Sequence, residues 1–178
     1  EHKYDGFRML INYDGKEIKL FTRRLEDVTK QFPDVVSVVK KNVRGESFIL
    51  DSEVVGYDSR TKKYKPFESI LQRIKRKYEI EKLINELPVE VNIFDVLYYN
   101  GKSVMDEKFL ERRKLIEKIV KNELWKIRVS TQIVTDSEKE AEEFYKGALK
   151  IGEEGIIFKK IDAPYHAGRR VGFMVKLK

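Results

Sequence analysis

Phe7 to Tyr13 alternate apolar and polar side chains, Asp14-Gly15 is a tight-turn dipeptide, and alternation resumes from Lys16 to Arg23. The opening therefore predicts a β-hairpin, with Lys3 just before its first strand. Pro33 suits the first turn of a helix through Val35, Val36, Val38 and Val39, with Gly45 placed to help end it. Ser47 to Tyr57 reads as strand. Phe67, Ile70, Leu71 and Ile74 recur at helical spacing, and Arg73, Lys75, Arg76 and Lys77 make that helix strongly basic. A second short helix ends before Pro88. Val89 to Tyr99 is an apolar, aromatic strand closed by Asn100-Gly101, and Leu110, Leu115, Ile116 and Ile119 predict the next helix. Ile127 to Val134 returns to strand. Ser137 and Glu140 form a capping-box pattern opening a helix through Phe144 and Leu149, stopped at Gly152, and the remainder reads strand, loop, strand. With no internal repeat or Gly/Ser linker, the pattern predicts one α+β unit with mostly antiparallel sheet flanked by helices. A strand that bears a candidate nucleophile at residue 3, and another that runs to Lys178, imply a domain cut from a longer chain.

Composition narrows the partners. The 178 residues are 41% apolar, with no uninterrupted apolar stretch of membrane-spanning length and no apolar leader, so a soluble intracellular protein with no membrane association is expected. Cysteine is absent, which excludes disulfides, a thiol nucleophile and a cysteine-ligated zinc finger. A net charge of +7 favours polyanionic partners. Charged residues reach 38%, dominated by Lys and Glu, which resembles the ion-pair-rich surfaces of thermophile proteins and predicts a melting temperature above about 60 °C.

In Lys3-Tyr4-Asp5-Gly6-Phe7-Arg8, a lysine beside an acid and a glycine suits a covalent nucleophile that must meet a phosphate. A free lysine pKa of about 10.4 leaves well under one per cent neutral at pH 7, so such a nucleophile needs desolvation or cationic neighbours. Arg8, Arg23, Lys159, Lys176 and Lys178 are the candidates, and they also suit a triphosphate. Asp51 and Glu53, two apart in a strand, share a face, and Glu154 opens the segment Glu154-Gly155-Ile156-Ile157-Phe158-Lys159. Carboxylate oxygens of this kind suit Mg²⁺. Taken singly, each of these groups is more often solvated surface than catalyst.

Taken in order, the segments resemble the ATP-dependent DNA ligases of archaeal type. These belong to the lysine-adenylating nucleotidyltransferases, with RNA ligases and messenger-RNA capping enzymes. Lys3 to Arg8 resembles the adenylation motif, and Phe21-Thr22-Arg23-Arg24-Leu25-Glu26 the arginine-bearing segment that follows it. Asp51 to Val55 resembles the third motif, Asn92 to Tyr98 the aromatic motif, Glu154 to Lys159 the fourth, and Val175 to Lys178 the fifth. The resemblance implies a nucleotidyltransferase (ATP-grasp-like) adenylation domain over residues 1–178, with an N-terminal DNA-binding domain and a C-terminal OB-fold domain absent from this chain. By that resemblance Lys3 forms the bond to AMP, Glu1 contacts the adenine amino group, Phe94 stacks on the base and Glu53 binds the ribose hydroxyls. Arg8, Arg23, Lys176 and Lys178 contact phosphates or ribose, and Glu154, with Glu53, holds the metal. Met174 stands where many relatives carry tryptophan, implying a changed packing contact. Strict alternation puts Glu154 and Lys159 on opposite strand faces, so a bulge or twist is required to bring both to one nucleotide.

The implied cofactors are ATP and Mg²⁺, with Mn²⁺ as a substitute. The implied partners are nicked double-stranded DNA, the two further domains and a sliding clamp, and the implied location is cytoplasm or nucleoid. The DNA-contacting residues are not identified by the motifs. Arg112 and Arg113 read equally as part of a functional patch or as a solvated helix face. Three rivals share features: an RNA ligase or capping-type enzyme with the same lysine, an NAD-dependent ligase, which needs an additional N-terminal segment, and a non-catalytic module gripping nucleic acid with the Arg73–Lys77 helix and scattered tyrosines.

Overall fold

The computed structural model describes residues 1–168 and 172–178 and divides its strands between two sheets. The larger contains β2 (Phe7–Tyr13), β3 (Ile18–Thr22), β4 (Phe48–Asp58), β6 (Val89–Tyr99) and β7 (Lys102–Ser103) in the order β3-β2-β4-β6-β7. The short β5 (Lys63–Tyr64) pairs with β4, and β8 (Ile127–Val129) runs parallel to β6. The smaller sheet is β1 (His2–Lys3), β9 (Gly155–Lys159) and β10 (Met174–Leu177), all antiparallel with β9 central. The expected α+β class with mostly antiparallel sheet holds.

The apolar residues expected from alternation line one face of the large sheet. Met9, Ile11, Leu20, Leu50, Val54, Val91 and Ile93 pack there against Val35 and Val39 of α1 (Pro33–Asn42) and Ile116 and Ile119 of α4 (Phe109–Ile119). α5 (Glu138–Lys150) covers β9 and β1 of the small sheet. Ser137 Oγ caps it by accepting from Glu140 N–H at 3.3 Å, while the Glu140 carboxylate turns to Thr135 Oγ1.

Four local expectations need correction. α1 stops at Asn42, where Val43 becomes extended, and not at Gly45. Gly45 instead takes φ +146° beside the Tyr99 ring, where a Cβ would come within 2.7 Å. The expected strand from Ile127 ends at Val129, because after the Ser130 N–H bond to the Ile93 carbonyl the chain turns from β6 to residues near the N-terminus: the Thr131 N–H donates to the Tyr4 hydroxyl and its carbonyl accepts from His2 N–H. The basic helix expected through Phe67, Ile74 and Lys77 is a 3₁₀ turn (Phe67–Ile70) and the five-residue α2 (Leu71–Lys75), which stops before Arg76 and Lys77, while the second short helix expected before Pro88 is α3 (Ile80–Glu86). Arg73 is fully buried there, forked onto Asp34 at 2.6 and 2.9 Å, and so is core rather than a cation offered to nucleic acid. Arg112 and Arg113 are likewise buried and not a solvated face.

Residues 4–6 carry the chain from the small sheet to the large one. A Cβ on Gly6 would lie 2.2 Å from the Val54 carbonyl oxygen, so only glycine lets this segment press on β4. That close approach sets Lys3 over the polar face of the large sheet.

Candidate active site

The polar face is built by register. Arg8 pairs with Glu53 across β2 and β4, and Glu53 with Asn92 across β4 and β6, giving one polar row opposite the apolar face. Over this row stands the small sheet. Glu1 and Lys3 are two apart and share a face, and Lys176 and Lys178 of the β10 segment do the same.

Lys3 is 12% exposed and its Nζ forms an ion pair with Glu154; Lys178 Nζ reaches the same carboxylate at 3.9 Å. Burial foremost, then Lys178 and Lys176, holds Lys3 below the ordinary lysine value, with Glu53 and Asp5 opposing. The desolvation and cationic neighbours that a nucleophilic lysine requires are therefore present, supplied by two of the five cations expected. Arg8 spends its guanidinium on Asp51, through bonds of 2.8 and 2.6 Å, and on the Tyr165 hydroxyl at 2.6 Å. Lys159 turns to Glu1. Arg23, exposed beyond β3, has no ion-pair or side-chain hydrogen-bond partner among the described residues and is not drawn into the cluster.

Glu53 is the other perturbed group. Burial, with Asp51 second, pushes it up to about 7, against Lys3, Arg8 and Lys176. Asp51 is 1% exposed and its carboxylate is consumed by Arg8 and Tyr165, so within this pair of acids Glu53 is the one left to meet a ligand.

The alternation conflict between Glu154 and Lys159 is resolved at Gly155, whose φ of +143° breaks the strand's two-residue period. A Cβ there would come within 2.0 Å of the Leu177 carbonyl, so glycine also admits the end of β10. Glu154 then meets Lys3 and Lys159 meets Glu1, on the one face that Glu1 and Lys3 share.

A bulge does occur, in β6. Ser52 pairs with Ile93 and Asp51 with Asp95, so Phe94 has no cross-strand partner. Bulges re-aim side chains, and this one leaves Phe94 partly buried with Lys159 Nζ 4.6 Å from its ring centroid. Its neighbour Asp95 is 1% exposed and forked by Arg112 at 2.8 and 3.1 Å. Arg112 also donates to the carbonyls of Glu107 and Ala163 and stands 5.8 Å from the Tyr165 ring, tying the bulge to the β9–β10 connection. Met174 lies on the Lys159 side, lining a small cavity of about 40 Å³ with Arg112 and Phe109. A larger open cleft of about 830 Å³ borders Glu1, Ile157 and Lys159.

Sequence reasoning missed Tyr165, the Asp95–Arg112 pair and the Arg113–Glu1 pair. Asp95 and Arg112 had one signal, both falling within segments of apolar periodicity where a charge needs a partner.

Among the described residues no group of three or more His, Asp or Glu side chains could enclose a metal. A Mg²⁺ ion takes one or two carboxylates and fills its shell with water and substrate phosphate. Glu154, one-third exposed beside Lys3, has the access such a ligand needs.

A family model described as the ATP dependent DNA ligase domain matches residues 1–178. A DNA ligase of Nanoarchaeum equitans is 49% identical over the whole of this chain, which covers 31% of the relative, and a DNA ligase of Methanocaldococcus jannaschii is 42% identical, covered to 34%. The chain thus spans about a third of the length of these relatives. A solved mycobacterial DNA ligase D complexed with ATP and MES aligns with 99% of this chain and 52% of its own at a TM-score of 0.72 and 27% identity. Chlorella virus DNA ligase-adenylate, at 16% identity and a TM-score of 0.68 over 99% of this chain and 60% of its own, shares the fold. With a match that runs through every residue of both sheets, the chain belongs to the family of ATP-dependent DNA ligase domains.

Proposed function

We propose that residues 1–178 are the adenylation domain of a ligase that seals nicks in double-stranded DNA, and that Lys3 is its nucleophile. The observation that carries this reading is the lysine itself, desolvated, flanked by Lys176 and Lys178, and set beside Glu154 and Glu53. Neutral Nζ attacks the α-phosphorus of ATP. The N–P bond forms, the bond from that phosphorus to the bridging oxygen breaks, pyrophosphate leaves with the electron pair, and one amine proton is released. AMP then passes to the 5′-phosphate of the nick, and the 3′-hydroxyl displaces it. Positioning and charge neutralisation supply most of such catalysis.

In this reading Phe94 is the base platform, Glu1 accepts from the adenine amino group, and Glu53 holds the ribose. Lys176 and Lys178 meet phosphate. Arg8, committed to Asp51 and Tyr165, contributes chiefly through its remaining donors, and Arg23 joins only if the β3 end closes on the nucleotide. Glu154 and Glu53 hold Mg²⁺, or Mn²⁺ in its place, which supplies further neutralisation of phosphate charge. The full activity is proposed to use a DNA-binding domain and an OB-fold domain outside these residues, in an archaeal-type ligase working with a sliding clamp inside the cell. No described helix is long and apolar enough to cross a membrane.

Intact mass before and after incubation with ATP and Mg²⁺, followed by peptide mapping, tests this. An AMP-sized increment on Lys3 that pyrophosphate removes is expected, and Lys3→Ala abolishes it. Normal labelling of Lys3→Ala sinks the assignment. Labelling by GTP in preference to ATP favours the capping-type rival.

A further inference from the structure

Arg113 takes no part in the chemistry above, yet it is buried, 6% exposed, and its guanidinium is committed to three partners. One terminal nitrogen donates to Ser130 Oγ at 2.9 Å and to Glu1 Oε1 at 3.3 Å, the other donates to the Ser130 carbonyl at 2.7 Å, and Nε donates to Glu117 at 2.9 Å. Ser130 is itself 1% exposed and its N–H is held by the Ile93 carbonyl at 2.8 Å. The plane of the fork is therefore set by α4 and the end of β8 before Glu1 enters it. The second Glu1 oxygen pairs with Lys159, the cation that stands over Phe94. The Glu1 side chain, 5% exposed, is gripped at both oxygens two residues from Lys3.

A carboxylate held this way retains unused acceptor directions in a fixed plane. At position 6 adenine offers an amino donor and guanine a carbonyl acceptor. A fixed carboxylate accepts from the first and repels the second, whereas one free to rotate can turn from the repulsion and loses orientation toward the donor. A planar arginine anchored by a backbone carbonyl and a hydroxyl resists that rotation, and a lysine, a point charge on a flexible stem, does not.

We propose that Arg113 is a positioning residue for nucleobase selection. Anchored by Ser130 and Glu117, it locks the Glu1 carboxylate so that the site accepts adenine nucleotides and refuses guanine nucleotides. This rests on the reading of Glu1 as the acceptor for the adenine amino group. A purely structural role for Arg113 changes stability and leaves the ratio of the two affinities alone.

The test is equilibrium binding of ATP and of GTP by calorimetry in EDTA, so that no turnover occurs, with thermal melts alongside. Arg113→Ala is expected to weaken ATP binding about tenfold or more and GTP binding by less than about threefold, narrowing the preference. Arg113→Lys, which keeps the charge but not the planar fork, also narrows the preference. Glu1→Gln moves the ratio toward GTP, because an amide nitrogen can donate to the guanine carbonyl. An unchanged ratio in Glu1→Gln overturns the reading of Glu1, and the role of Arg113 with it. A narrowed ratio in Glu1→Gln with an unchanged one in a cooperatively melting Arg113→Ala overturns Arg113 alone. If Arg113→Ala does not fold, Arg113→Lys decides in the same way.

Discussion

Lys178 Nζ lies 3.9 Å from the Glu154 carboxylate that also pairs with Lys3, so two lysines share one acid. Lys178 is also the first of the cations that lower the Lys3 pKa. Its removal acts twice in one direction: a positive neighbour is lost, and Glu154 is left wholly to Lys3. Both raise the pKa of the nucleophile. Because only the neutral amine attacks, the rate of self-adenylation rises with pH toward that pKa. Lys178→Ala is expected to move the rising limb to higher pH and to slow the reaction at pH 7 about three- to tenfold, with only partial recovery under alkaline conditions, since the contact that Lys178 makes with phosphate in the proposed reading is not restored by pH. A limb that stays in place would mean that burial and Lys176 hold the Lys3 pKa down without Lys178.

Gly6 is the second point at which one atom controls the nucleophile. A Cβ there would meet the Val54 carbonyl oxygen at 2.2 Å and its carbon at 2.9 Å, and both belong to the backbone of a central strand, which cannot step aside. Gly6→Ala is expected to lift residues 4–6 from β4, with a destabilisation of about 2 kcal/mol or more and a loss of labelling out of proportion to it. Denaturant melts and labelling of the folded fraction separate the two effects. A variant with normal labelling per folded molecule would show that the approach to β4 serves stability only.

Asp95 and Arg112 are each 1% exposed, and burial pushes the Asp95 pKa up while Arg112 holds it down. Arg112→Ala leaves a carboxylate buried with its main partner gone, at a cost of about 3–5 kcal/mol. A double replacement, Asp95→Asn with Arg112→Met, removes both charges and is expected to recover most of that stability. It should not recover nucleotide affinity, because the ties from the Phe94 bulge to the Ala163 carbonyl are then missing. Urea titrations and nucleotide-binding isotherms on the parent and both variants check this, and full recovery of binding by the double variant would rule out a positioning role for the pair.

The extent to which these relationships were legible depends on what each required. The β2–β3 hairpin, α1, β4, β6, α4 and α5 follow from periods of two and 3.6, because each presents one apolar face to a core. Lys3, Glu53 and Glu154 were visible because their residue types sit in ordered motifs. Phe94 was assigned its role by resemblance, yet the bulge that presents it was invisible, since a one-residue slip in pairing leaves the apolar run of β6 unchanged. Tyr165 reaches Asp51 across 114 positions, and such a contact has no local periodicity. Arg73 misled, and Arg112 and Arg113 stayed undecided, for one physical reason: arginine in a helix usually faces water, and only the facing acids, on other elements, reveal that these three do not.

Glu153 lies beneath the site, 5% exposed, with its Oε1 atom lacking a hydrogen-bond partner. Burial foremost, then Glu90, pushes its pKa up to about 8, with Arg128 opposing. Taking the ordinary value of 4.5 for the unfolded chain, the folded protein binds this proton up to about pH 8 and the unfolded one releases it above 4.5. Between these limits the folded state holds more protons, so the group's contribution to stability is full below 4.5 and is lost as pH rises through 8. Glu153→Gln is neutral throughout and escapes this loss. In EDTA, the parent is expected to lose more melting temperature than the variant between pH 5 and pH 8.5, with the variant ahead at the alkaline end by about 2 kcal/mol. Parallel melting curves across that range would mean that Glu153 is already ionised in the fold, its charge matched by Arg128.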